Sequence, residues 1–81
     1  MLSFQTFVLY GTRGGPIRHR ILGALEVETH TVEELAALLG DSPRTLREHL
    51  AVLEANNMVN AHKRPDDTKY VLTDEALVLL K

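Results

Sequence analysis

Apolar residues recur three and four positions apart in three stretches of the first two thirds of the chain. This spacing places them on one face of an α-helix. It predicts helices over residues 16–25, 32–39 and 43–55. The apolar positions on their inner faces are Ile17, Ile21, Leu22, Leu25, Val32, Leu35, Ala36, Leu39, Leu46, Leu50 and Leu53.

Capping residues mark where the second and third helices begin. Thr31 and Glu34 form the Thr-x-x-Glu pattern of a capping box. Ser42 is a favourable N-cap, and Pro43 suits the first helical position because that position needs no N–H. Gly40 ends the second helix. Two short helices are therefore predicted to meet at a tight turn, the arrangement of a helix-turn-helix.

Beyond residue 58 the spacing between apolar residues changes. It is three or four positions in the predicted helices and two positions here. Val59 and Ala61 alternate with polar residues, and so do Tyr70 and Leu72, with a polar interruption at residues 65–67 between them. Alternation of this kind is typical of half-buried strands, and the interruption predicts a hairpin with a polar tip.

A last short helix follows the hairpin. Thr73 is its predicted N-cap, Asp74 and Glu75 favour its first turn, and Leu77 and Leu80 give it an apolar side. The fold class is therefore α+β, mainly α: a winged helix-turn-helix with a three-helix core, a two-stranded wing and a terminal helix. We expect one domain over residues 1–81, made of an apolar N-terminal segment (1–14), the helix-turn-helix (31–57), the wing (58–73) and the terminal helix (74–81).

Composition limits the possible chemistry. The 81 residues include no cysteine, which excludes disulfides, Cys-ligated zinc and thiol catalysis. No apolar run approaches the roughly 18 residues of a membrane-spanning helix, and no signal peptide is recognisable. We therefore expect a soluble, cytoplasmic protein.

The formal net charge of −2 is unusual for a protein that binds nucleic acid. The charges are nevertheless unevenly distributed. Arg13, Arg18 and Arg20 precede the first acidic residue, whereas acidic residues concentrate between positions 26 and 34. A basic face and an acidic face are possible after folding, and scattered solvated charges are the alternative.

The third helix carries the candidate DNA contacts on its outer face. With its leucines turned inward, a rotation of 100° per residue centres the outer face near Glu48, with Arg44 beside it and Thr45 and Arg47 on its flanks. Both arginines can contact guanine or phosphate, Ser42 and Thr45 can donate to phosphate, and Glu48 can accept from cytosine. An ordinary solvated helix face remains the alternative.

The predicted wing adds three cations, Lys63, Arg64 and Lys69. Their long side chains could reach phosphates or the minor groove. Asp66 and Asp67 at the tip would oppose this. The alternative is a solvated hairpin whose charges only discourage edge pairing.

These stretches carry a family resemblance. Residues 42–54 look like the recognition helix of ArsR-type winged-helix repressors, residues 57–59 resemble the Gly-Leu-Val exit of that helix, and residues 70–76 resemble the second wing strand and the entry to the last helix. Residues 11–22 are similar to the opening of archaeal winged-helix regulators. The resemblance implies a transcriptional regulator that binds double-stranded DNA as a homodimer. Asn57 in place of the usual Gly and the acidic Glu48 depart from the family pattern.

No other chemistry emerges from the sequence. The four histidines, His19, His30, His49 and His62, are spread over different elements without metal-ligand spacing, and His49 resembles a half-buried structural histidine of the family. Neither a catalytic triad nor a phosphate loop is recognisable, so we expect no enzyme and no cofactor. The sequence does not indicate a small-molecule effector.

Apolar residues at both ends of the chain need covering. Residues 2–10 are mostly apolar, and residues 77–80 are entirely so. We expect a homodimer through these ends, and packing on the monomer core is the alternative. A winged-helix module for protein contact without DNA binding is the second functional hypothesis, favoured by the net charge, by Glu48 and by the apolar ends.

Overall fold

The computed structural model describes residues 15–80 and contains four helices and one two-stranded antiparallel sheet. The elements in chain order are α1 (Gly15–Val27), α2 (Val32–Leu39), α3 (Pro43–Ala55), β1 (Val59–Lys63), β2 (Thr68–Leu72) and α4 (Asp74–Leu80). The predicted fold class, a mainly α winged helix-turn-helix, is confirmed. α1 is one turn longer than its apolar spacing indicated. The apolar segment 1–14, Arg13 within it and its predicted dimer contact lie outside the described residues.

Local hydrogen bonds produce the helix-turn-helix as the sequence predicts. The Thr31 hydroxyl accepts from the N–H of Glu34 at 3.1 Å, and the Glu34 carboxylate accepts from the N–H of Thr31 at 2.8 Å. Gly40 ends α2 with a left-handed φ of 72°, which turns the chain toward α3. The Ser42 hydroxyl accepts from the N–H of Thr45 at 3.1 Å and caps α3. Three residues therefore separate the two helices. Local hydrogen bonds cap the C-terminal end of α2 and the N-terminal end of α3.

The hydrophobic core joins all of the helices to β1. Its fully or nearly buried members are Ile21, Leu22, Leu25, Val32, Leu35, Ala36, Leu46, Leu50, Leu53, Met58, Val59 and Ala76. Ile17 and Leu39, also predicted to face inward, are partly buried against this cluster. Because the inward side of α3 is filled by leucines, its opposite side must face solvent.

Asn57 replaces glycine at the exit of α3 without difficulty. It adopts a left-handed φ of 60°, which asparagine tolerates better than most residues. Its N–H donates to the carbonyl of Glu54 at 3.0 Å, and the N–H of Met58 donates to the carbonyl of Leu53 at 2.9 Å. These two bonds satisfy the last carbonyls of the helix and direct the chain into β1.

The hairpin pairs Val59 with Leu72 at its base and Lys63 with Thr68 at its tip. β2 also pairs on its other side, where His30 exchanges two backbone bonds with Tyr70, at 2.8 and 3.4 Å. The sequence did not predict this bridge, since a single paired residue has no period. It attaches the wing to the residues that lead into α2.

The terminal helix faces the core through Leu80, as expected, but with Ala76 and Leu79 in place of the expected Leu77. Ala76 is fully buried, and Leu79 and Leu80 pack against the core, whereas Val78 is 75% exposed. The reason is that the short Ala76 side chain lets the helix approach the core closely. None of the helices within residues 15–80 is long and apolar enough to cross a membrane.

Candidate nucleic-acid interface

The outer face of α3 is open to solvent at the residues that the sequence predicts to contact DNA. The Arg44 side chain is 92% exposed, and its Nε lies 3.9 Å from Oε1 of Glu48, one turn along the helix. The two charges are too exposed and too far apart to hold one another firmly. Arg44 and Glu48 are therefore available to a partner that approaches this face.

Ser42 and Thr45 lie together at the N-terminus of α3. The Ser42 hydroxyl donates to Oγ1 of Thr45 at 3.0 Å while it caps the helix. Ser42 and Pro43 are exposed and Thr45 is half-buried. Two hydroxyls next to a helix N-terminus suit an anionic oxygen, since the dipole and the unpaired N–H groups both favour negative charge there.

Arg47 lies on the flank of α3 and contacts the preceding helix. Its Nη2 lies 3.1 Å from Oε2 of Glu33, in the first turn of α2, and both side chains are largely exposed. Burial and the nearby Glu54 carboxylate raise the pKa of Tyr70, and Arg47 opposes that shift. Arg47 therefore belongs to a surface formed by α2, α3 and β2.

The wing cations differ in their surroundings. Arg64 forms two hydrogen bonds with Asp67, from Nε to Oδ1 at 2.7 Å and from Nη2 to Oδ2 at 2.6 Å. This pair raises the pKa of Arg64 and lowers that of Asp67, and it closes the turn together with the backbone bond from the N–H of Arg64 to the carbonyl of Asp67. Lys63 has no ion pair with any residue between 15 and 80.

Lys69 points back toward α2 rather than outward with Lys63. Its Nζ lies 3.4 Å from Oε1 of Glu34. The pKa of Glu34 is lowered first by the N–H of Thr31 and then by Lys69, with burial acting in the opposite direction. The eight predicted contact residues thus lie on the N-terminal half of α3 and on the hairpin, and two of them, Arg47 and Lys69, are directed toward the acidic start of α2.

His49 is half-buried and hydrogen-bonded, as predicted for a structural histidine. Its Nδ1 accepts from Nε of Arg18 on α1 at 3.2 Å, so the ring is neutral in this geometry. Burial and the Arg18 charge lower its pKa, while Asp41 and Glu48 raise it by smaller amounts. The bond attaches the recognition helix to α1.

Sequence reasoning missed the acidic partners of the cations. The spacing of three between Arg64 and Asp67 in a turn was a signal that could have been used, whereas Glu33 and Arg47 are 14 residues apart and only folding brings them together. Within residues 15–80, no three His, Asp or Glu side chains are grouped so that they could hold a metal ion.

Comparison with known proteins agrees with this geometry. Residues 15–61 match the family model of the helix-turn-helix domain. A possible transcriptional regulator for arsenical resistance is 28% identical with a TM-score of 0.81, and the alignment covers 98% of this chain and 78% of that one. HlyU from Vibrio cholerae N16961 is 30% identical with a TM-score of 0.77, covering 90% of this chain and 78% of HlyU.

A more distant likeness shows the fold alone. A mutant of ZitR from Lactococcus lactis is 22% identical with a TM-score of 0.71, and the alignment covers 76% of this chain but only 44% of the ZitR chain. No curated protein matches the chain. The helix-turn-helix match, the wing and the likeness to HlyU together place the chain in the helix-turn-helix family, as a winged-helix protein of the ArsR type, a group of DNA-binding transcriptional regulators.

Proposed function

We propose that the chain is a sequence-specific regulator of transcription that binds double-stranded DNA, with α3 (residues 43–55) in the major groove and the wing (residues 59–72) on the backbone or in the minor groove. The observation that carries the proposal is the open face of α3, where Arg44 is 92% exposed beside a helix-turn-helix turn. In this arrangement the N-terminal part of the second helix meets the base edges.

Each predicted contact has a role that suits its position. Arg44 offers two parallel donors to guanine, Glu48 accepts from the amino group of cytosine, and Thr45 and Ser42 donate to phosphate oxygens at the helix N-terminus. Arg47, on the flank toward α2, is placed for a phosphate or a neighbouring base. Base contacts decide sequence preference, whereas phosphate contacts decide orientation and register.

The wing supplies charge without sequence preference. Lys63 is exposed and has no acidic partner between residues 15 and 80, so its charge is fully available to a phosphate. Arg64 is partly committed to Asp67, and Lys69 to Glu34. We expect Lys63 to contribute most among the three.

We also propose that the protein acts as a homodimer. Two recognition helices about one DNA turn apart would match a pseudo-palindromic site. In support, Val78 on α4 is 75% exposed and lies beside a shallow depression of 360 Å³ lined by Asp74, Glu75, Val78 and Leu79. Val78 and Leu79 give this depression a mainly apolar lining, which a second copy of the chain would cover.

Fluorescence anisotropy tests the function. The protein is titrated into a labelled pool of random duplexes and into the DNA upstream of its own gene, at two salt concentrations. We expect binding that weakens steeply with salt, because phosphate contacts release counterions. Arg44→Ala should reduce the preference for the specific sequence, at a cost of about 1–3 kcal/mol if it contacts guanine.

Arg20→Ala is the matched control. It removes the same charge from α1, where Arg20 donates to the carbonyl of Leu39 at the end of α2, at 3.4 Å. Equal effects of the two substitutions would argue against a base contact by Arg44. No binding by the wild type even at low salt would overturn the function itself.

A protein-contact module is the second candidate, and a specific observation favours it. Four of the five candidate cations have a carboxylate within 4.0 Å on their own chain, which reduces the attraction of this surface for phosphate. An apolar contact through Val78 would be insensitive to moderate salt or strengthened by it. Salt dependence therefore separates the two candidates.

A further inference from the structure

Arg47 differs from Arg44 on the same helix because its carboxylate partner belongs to α2, the other helix of the helix-turn-helix. Its Nη2 lies 3.1 Å from Oε2 of Glu33, a shorter separation than the 3.9 Å between Arg44 and Glu48. The two residues are 14 positions apart, so the contact exists only when α2 and α3 are packed together.

The two neighbouring acids at the start of α2 have different tasks. The Glu34 carboxylate accepts from the N–H of Thr31 at 2.8 Å and completes the capping box. Glu33 takes no part in that box, and Arg47 is the only hydrogen-bond or ion-pair partner of its carboxylate among residues 15–80. Glu33 is therefore a carboxylate at the candidate interface whose specific contact is with a DNA-contacting arginine.

Resting on the proposed function, we propose that Glu33 sets the affinity for DNA by competing with phosphate for Arg47. In the free protein Glu33 holds the guanidinium on the surface of α2. When DNA approaches, Arg47 exchanges this carboxylate for the DNA, and the carboxylate that remains repels nearby phosphates. Both side chains are more than half exposed, at 59% and 66%, so the exchange needs no rearrangement of the core.

The charge of Glu33 therefore opposes DNA binding in two ways, by competing for Arg47 and by repelling phosphates. A neutral glutamine at this position would do neither. Glu33→Gln is expected to tighten binding to random duplexes by about two- to fivefold, the range that the free energy of an exposed ion pair allows. The gain should be largest at low salt, because interactions between exposed charges are screened as salt increases.

Glu26→Gln is the matched control for the change in net charge. Glu26 is exposed on α1 and has no ion pair within the described part of the chain. Both variants change one exposed glutamate to glutamine, and both should keep the fold, which circular dichroism and thermal unfolding verify. If Glu33 competes for Arg47, Glu33→Gln increases the affinity for DNA clearly more than Glu26→Gln does.

The same substitution in an Arg47→Ala background decides the mechanism. If Glu33 acts through Arg47, most of the gain disappears when Arg47 is absent, and the double-mutant cycle reports the coupling between them. A gain that persists in full, or one equal to that of Glu26→Gln, would overturn the inference. So would weaker binding by Glu33→Gln, since that would make Glu33 a support for Arg47.

The result also separates this inference from the proposed function. Wild-type protein that does not bind DNA refutes both. Wild-type protein that binds, is weakened by Arg47→Ala and is unaffected by Glu33→Gln refutes only the competition, and leaves the function standing. Binding unaffected by Arg47→Ala removes Arg47 from the interface, and the competition with it.

Discussion

Thr73 lies between the wing and α4, and its hydrogen bonds also reach the residues that follow α3. Its hydroxyl donates to the carbonyl of Asn57 at 2.7 Å and accepts from the N–H of Ala76 at 3.1 Å. Its own N–H donates to the carbonyl of Met58 at 3.1 Å. The residue is only 8% exposed, so water cannot easily replace these partners.

Thr73→Val is expected to lower the free energy of unfolding by about 1–3 kcal/mol. It keeps the shape of the side chain but removes an N-cap and leaves the part-buried carbonyl of Asn57 without its hydroxyl donor. Chemical denaturation measures the effect. Thr68→Val is the matched control, because the Thr68 hydroxyl has no hydrogen bond within residues 15–80, and a comparable loss there would contradict the assignment.

Two glycines allow a test of backbone conformation without a change in packing. A Cβ at either Gly23 or Gly40 would meet no heavy atom within 4 Å. Gly40 has a φ of 72°, whereas Gly23 lies inside α1. We expect Gly40→Ala to destabilise by about 1–2 kcal/mol through left-handed strain and Gly23→Ala to stabilise by about 0.5–1 kcal/mol through helix propensity. Thermal unfolding measures both effects. A change in stability in the same direction for the two variants would contradict this explanation.

Among the elements, α1 helps to hold α3 through both packing and a hydrogen bond. α1 lies against α2, α3 and β2, and the bond from Arg18 to His49 adds a polar contact at its boundary with α3. The ring accepts this bond only when Nδ1 carries no proton. A protonated ring would lose the bond and place two positive charges side by side.

The stability of the protein should therefore fall as the pH decreases through the ordinary histidine range. Burial and Arg18 lower the pKa of His49 from its usual 6.5, so the unfolded chain binds this proton more readily than the folded one. The contribution of His49 is fully present above pH 6.5 and is lost as the pH falls toward the lowered pKa.

Denaturation midpoints between pH 7.5 and 5 provide the measurement. His49→Gln should show a smaller decrease in stability over this range than the wild type. His62→Gln makes the same replacement at an exposed position in the wing and controls for the loss of a histidine. An unchanged slope in His49→Gln would show that the bond to Arg18 does not depend on this titration.

At the scale of the whole molecule, the exposed apolar residues of the helices are not equivalent. Val27 is 83% exposed at the end of α1, and Val78 is 75% exposed beside the depression on α4. Leu79 and Leu80 already pack on the core of their own chain, so the terminal helix offers a partner less apolar surface than its composition indicated.

Val78→Asp is expected to weaken the proposed homodimer at least tenfold, because it would bury an unpaired charge in an apolar contact. Sedimentation equilibrium at micromolar concentration measures the association. Val27→Asp is the matched control and should leave it unchanged. A monomer mass for the wild type would refute the dimer, and equal effects of the two variants would place the contact elsewhere.

Features that depend on interactions between near neighbours in the chain could be predicted from the residues alone. Helical and two-residue periods specify which side of each element faces the core, and the caps at Thr31, Ser42 and Thr73 depend on bonds to residues within three positions. The left-handed exits at Gly40 and Asn57 follow from the few residue types that accept that conformation. The fold class and the outward direction of Arg44 and Glu48 were therefore predictable.

Contacts between side chains that are distant in the sequence, by contrast, follow from the packing of the folded chain. Glu33 meets Arg47, Lys69 meets Glu34 and Arg18 meets His49 across 14, 35 and 31 residues. No spacing rule anticipates such contacts, because long side chains find partners only after the core has positioned their helices. The same is true of the His30–Tyr70 bridge. The sequence thus predicted which cations lie on the candidate DNA-binding surface. The packing of α2, α3 and the wing determined which of these cations have carboxylate partners distant in the sequence.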